Sequence, residues 1–165
     1  MTEQNQAVLI YTTHPSLAEA ERIGKAGLKA VRRVFEEWHL FRGGGIPRAS
    51  LDLLKARQFT AAETYLKEGL AIREKAQPDA WNTFNAQSML GGALLGQQKY
   101  ADAEPLLLAG YEGLKQREKT IPPQGKARIP EAIERLVQLY EAMDNKEEAG
   151  KWRKELEGAK AAAQP

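Results

Sequence analysis

The chain has no cysteine among its 165 residues. That excludes a disulfide framework, thiolate chemistry and cysteine-based zinc sites. Histidine is almost as scarce. His14 and His39 stand far apart with no carboxylate at metal-ligand spacing, so neither a metal centre nor a histidine catalyst is expected. No run approaches the roughly 18 consecutive apolar residues of a membrane span. No basic stretch precedes the short apolar run Ala7 to Tyr11, so the protein is expected to be soluble, cytoplasmic and unprocessed. Charge of one sign is not in excess either: 24 basic and 22 acidic residues are interspersed, which marks neither a nucleic-acid nor a membrane surface. Gly91 and Gly96 have the spacing of a phosphate loop, but no Lys-Ser/Thr follows and they sit within a helical pattern. Carboxylate pairs such as Glu36-Glu37 and Glu147-Glu148 lie on polar helix faces, with no apolar pocket to raise a pKa. No enzyme activity, cofactor or metal is expected.

What is present is helical periodicity. Ala7 to Thr13 is β-branched and aromatic enough for one short strand. Ser16 and Glu19 then form a capping box, and Leu17, Ala20, Ile23, Leu28, Val31, Phe35 and Trp38 recur at three- and four-residue steps to about Phe41. Gly43-Gly44-Gly45 followed by Pro47 closes that helix and makes the clearest internal boundary. The expected division is therefore a strand/helix extension over 1–46 and an all-α domain over 47–165. Within the latter the pattern predicts helices near 48–57, 59–76, 82–97, 100–118, 129–143 and 146–162. Asp144 with Glu147 reads as the start of the last one.

These helices repeat. Phe59-x-x-Ala62-Glu63-x-x-Leu66 matches Tyr100-x-x-Ala103-Glu104-x-x-Leu107, and Lys146-x-x-Ala149 gives a weaker third copy at an offset of 41 to 46 residues. Leu136-x-x-x-Tyr140 answers Leu90-x-x-x-Leu94 in the preceding helices. Small residues at Gly91, Ala103 and Gly110 are expected where backbones approach, with bulk at Leu94, Tyr100 and Leu107. The last helix, polar except for Ala149, Trp152 and Leu156, is expected to cap the array.

The pattern Leu90-Gly91-x-x-Leu94 … Tyr100-x-x-Ala103-x-x-x-Leu107-x-x-Gly110 resembles a tetratricopeptide repeat. More narrowly, residues 51–160 are similar to the C-terminal repeat region of planctomycete-type bacterial serine/threonine protein kinases. The kinase motifs themselves (Gly-rich loop, V-A-I-K, H-R-D, D-F-G) are absent, so only the repeat module is implied. Residues 7–26, AVLIYTTHPSLAEAERIGKA, resemble the opening strand and helix of CutA-type divalent-cation-tolerance proteins, though the remaining strands of that trimeric fold do not follow.

A short tetratricopeptide-like solenoid implies a non-enzymatic module that binds a protein or peptide partner along its concave face. Two further readings stand beside it: a regulatory kinase tail without its catalytic domain, and a CutA-like divalent-cation-binding trimer. In such hairpins the first helix lines the groove. By position, Asn85, Ser88, Gly92 and Leu95 would face it in the second unit, and Glu131, Glu134, Gln138 and Glu141 in the third. Asn85 stands out because an amide can bond a peptide backbone as donor and acceptor at once. Trp81 and Phe84 are expected to pack the entrance of their helix against the preceding hairpin.

Overall fold

The computed structural model describes residues 45–162, and the side chains of residues 50–161. The strand expected at 7–13, the helix at 16–41 and the CutA-like stretch lie outside these residues. The described region is all-α: α1 (Gly45–Lys55), α2 (Phe59–Ala76), α3 (Trp81–Gly96), α4 (Tyr100–Gln116), α5 (Arg128–Ala142) and α6 (Lys146–Ala162). Two single 3₁₀ turns, Glu118–Thr120 and Pro123–Gly125, fill the α4–α5 connection. α1 begins three residues before the expected 48 because Pro47 falls in the first helical turn, where its missing N–H has no bond to lose.

The helices join in pairs through one turn used three times. Arg57, Gln98 and Asp144 each adopt a left-handed conformation, with φ of 58°, 62° and 54°. In each turn this residue's N–H donates to the carbonyl three residues back (Leu54, Leu95, Glu141). The next residue's N–H, that of Gln58, Lys99 or Asn145, reaches five residues back to Leu53, Leu94 or Tyr140. That pair of hydrogen bonds closes a helix C-terminus and turns the backbone sharply. Four residues further on, the repeated alanines Ala62, Ala103 and Ala149 donate to the carbonyls of Gln58, Lys99 and Asn145. All three alanines are buried. The last helix differs from expectation at its start. Asp144 occupies the left-handed position, and the side chain of Asn145 accepts from the Glu148 N–H (3.2 Å), so Asn145 is the cap.

In the central hairpin three glycines set the crossing of α3 and α4. A Cβ at Gly91 would lie 2.6 Å from Leu107 Cγ, one at Gly110 would lie 2.6 Å from the Ser88 nitrogen, and one at Gly113 would overlap the Phe84 ring. The contacts 91 to 107, 88 to 110 and 84 to 113 run in opposite directions along the two helices, so the pair is antiparallel. Around it Leu66, Met89, Leu107, Leu114, Ile133, Leu136 and Leu139 form a continuous buried core. Arg117 ties the pair to the preceding loop. Its guanidinium lies 4.1 Å from the Phe84 ring centroid and donates to the carbonyls of Asp79 and Gly113. Trp81 packs beside Gly125.

Successive hairpins are latched by the residue after the repeated alanine. Glu63 accepts from Lys67 (2.6 Å), from Gln97 of the next hairpin (2.7 Å) and from Lys99 (3.1 Å). Glu104 accepts from the Tyr140 hydroxyl (2.8 Å). The Lys67 and Gln97 bonds hold the Glu63 carboxyl at about 2, against an ordinary 4.5. A depressed pKa stabilises the fold fully above about pH 4.5, and that contribution is lost as pH falls toward 2. Glu63→Gln is therefore expected to flatten the acid limb of stability, read as the urea midpoint across that window.

α6 lacks the residues that α2 and α4 share at corresponding positions. Where α2 and α4 carry Phe59 or Tyr100, Glu63 or Glu104, and Leu66 or Leu107, it carries Lys146, Gly150 and Arg153. A Cβ added at Gly150 or Gly158 would meet no atom within 4 Å. Alanine at either site is expected to stabilise by about 0.5–1 kcal/mol, because it removes the entropic cost of glycine in a helix and meets nothing. Thermal melting of the single and double variants checks this.

Candidate interaction face

The first helices of the second and third hairpins, α3 and α5, meet along a polar seam. On α5, Arg128, Glu131 and Arg135 follow steps of three and four and so share one side. Arg128 Nη1 donates to both oxygens of Glu131, at 2.8 and 2.6 Å. Arg135 reaches across to α3: its Nη1 donates to Ser88 Oγ (3.1 Å), and its stem lies where a Cβ at Gly92 would sit 3.0 Å from Cδ. Its Nη2 stands 3.8 Å from Glu131, and its side chain is only 12% exposed. Burial pulls the Arg135 pKa below its ordinary value, Glu131 pulls it back up and Arg128 opposes that.

The residues expected to line a groove separate into three groups. Asn85 and Ser88 are enclosed, at 1% and 0% exposure. Ser88 is bonded to Arg135, whereas Asn85 donates to Met89 Sδ (3.6 Å), and its carbonyl oxygen has no hydrogen-bond partner among the described residues. Leu95 is half-buried against the core. Glu131 belongs to the seam. Glu134 and Glu141 point the other way and pair with α6, through Lys160 (2.7 Å) and Arg153 respectively. Gln138 lies between them in the same stripe and is exposed. The structure thus brings Ser88 and Glu131 to the α3–α5 seam, encloses Asn85 beside Met89 of its own helix, and places Glu134, Gln138 and Glu141 on a second edge.

Among the described residues no three His, Asp or Glu side chains gather in a metal-holding cluster. No described helix is long and apolar enough to cross a membrane. On the opposite layer, Tyr111 and Trp152 meet edge to face at 5.0 Å beside a shallow cavity of about 270 Å³ lined also by Glu148, Lys151 and Glu155. Its acidic groups already have partners. Glu155 accepts from Tyr111 (2.7 Å) and Glu148 from Lys151 (2.6 Å).

The sequence matches no protein-family model and no curated protein. The seam therefore has to be read from its own chemistry. Its two arginines are absent from the expected site, although the spacing R-x-x-E-x-x-x-R places both on one helical side with Glu131 and would have found them.

Proposed function

We propose that residues 47–162 form a tetratricopeptide-like array, a non-enzymatic module that holds a segment of a protein partner against the side formed by α3 and α5. The observation that carries this reading is the threefold recurrence of one hairpin: the left-handed turns at Arg57, Gln98 and Asp144, each followed by a buried alanine bonded to the turn. Such units stack because none can bury its apolar face alone, and stacking lines up their first helices as a continuous binding side. The Gly91, Ala103 and Gly110 contacts fit the same reading, since close helix crossing within a unit needs small residues there. Arg153 and Gly150 on α6 fit a closing unit, which presents a polar outer face.

A photo-crosslinking amino acid at Glu131 or Leu95, compared with one at exposed Lys67 on α2, tests this. The expected product is one contiguous stretch of a single partner, joined from α3 or α5 and not from α2. Equal yields from all three positions would contradict a binding side on the first helices.

A further inference from the structure

We propose that the seam formed by Arg128, Glu131, Arg135 and Ser88 receives a carboxylate of the partner segment. This rests on the interaction-module reading and names the partner chemistry of that same side.

A guanidinium carries five N–H donors in a fork. Among the described residues Arg135 makes one hydrogen bond, and that goes to a neutral hydroxyl, Ser88 Oγ. Its nearest anion, Glu131, stands at 3.8 Å and already accepts two bonds from Arg128. Two cations therefore share one carboxylate. Of the other α5 acids, Glu134 attracts Arg135 only at a distance and is itself paired with Lys160 of α6, and Glu141 is paired with Arg153. The seam is left with one net positive charge on a group whose desolvation is largely complete.

A largely buried cation with an incomplete partner set is costly, and a forked pair with a carboxylate is the arrangement that best completes a guanidinium. The charge also discriminates. One net positive charge is neutralised by a monoanionic carboxylate, whereas a dianionic phosphate would leave the seam with a net negative charge beside Glu131. An aspartate or glutamate side group and the terminal carboxylate of a peptide offer the same chemistry, so the seam is assigned to the carboxylate and the source is left to the probe.

The test uses the whole chain titrated with hexaglutamate, hexaglutamate amidated at its C-terminus, and hexaglutamine amidated at its C-terminus, which carries no carboxylate. Binding is followed by calorimetry and by the Arg135 Nε–Hε resonance. Hexaglutamate is expected to bind and to shift that resonance, and hexaglutamine to do neither. Arg135→Gln should weaken binding roughly tenfold or more, the scale of one lost charge-assisted bond. Because that variant removes a packed side chain, Glu131→Gln provides a second arm: it deletes the competing anion and should tighten binding several-fold. Lys154→Gln removes an exposed cation from α6 and should change little. Loss on amidation assigns the terminal carboxylate; retention assigns side chains, and either supports the seam. The proposal is overturned by absence of hexaglutamate binding, by equal weakening in Lys154→Gln and Arg135→Gln, or by an unchanged Kd in Glu131→Gln. Hexaglutamine binding as tightly as hexaglutamate would also overturn it while leaving the module reading intact; the crosslinking comparison decides that reading separately.

Discussion

Gly110→Ala is expected to lower the melting temperature by roughly 10 °C, the scale of about 3 kcal/mol in a domain of this size. The new methyl would stand 2.6 Å from the backbone nitrogen of Ser88, 2.7 Å from its Cβ and 2.8 Å from its Cα. These atoms belong to the neighbouring helix, so no rotamer change clears them and α3 must move away from α4. That movement would disturb Ser88 and with it the Arg135 bond across the seam. The gain in helix propensity from glycine to alanine, about 1 kcal/mol, is too small to offset the separation. The same substitution at Gly150 meets open space and should stabilise instead. Opposite signs for one chemical change would establish that packing, and not helix propensity, decides the role of Gly110. Equal melting temperatures for wild type and Gly110→Ala would show that the crossing is looser than these distances imply.

Most of the helical framework is legible in the sequence because it depends on local pattern. The recurrence of Ala62, Ala103 and Ala149 and the apolar steps between them locate the described helices to within three residues. Turn chemistry is less legible. Left-handed positions are ordinarily signalled by glycine, and here they are filled by Arg57, Gln98 and Asp144, so only the repeated geometry reveals them. The same displacement moves the last helix cap from Asp144 to Asn145.

The candidate site is legible in outline only. Spacing places Asn85 and Ser88 on one side of α3 and Glu131, Glu134, Gln138 and Glu141 on α5. Periodicity says which residues share a helix side, but not which neighbour that side meets. α5 is contacted by α3 on one flank and by α6 on the other, so Glu131 joins Arg128 and Arg135 whereas Glu134 and Glu141 are drawn to α6. Burial follows from the same crossing: Arg135 lies over Gly92 and Ser88, and a serine that spacing alone would present to a partner is enclosed by a guanidinium.

Leu107→Ala is expected to cost about 3 kcal/mol on its own, since Leu107 is fully buried and its removal leaves a cavity in the central hairpin. Gly91→Ala should also destabilise on its own, because its methyl would lie 2.6 Å from Leu107 Cγ and 2.8 Å from Cδ2. Combined, the two changes should cost clearly less than their sum. With the leucine truncated, the atoms that oppose the new methyl are gone, and the methyl occupies part of the cavity. The remaining neighbour, the Ala103 carbonyl oxygen at 3.1 Å, limits the recovery but does not forbid it. A double-mutant cycle by urea unfolding should therefore return a favourable coupling of about 1–2 kcal/mol, within the range for residues in direct contact. Strict additivity would mean that Gly91 is small for a reason other than Leu107. The closest approach of α3 and α4 would then rest on Gly110 and Gly113 alone.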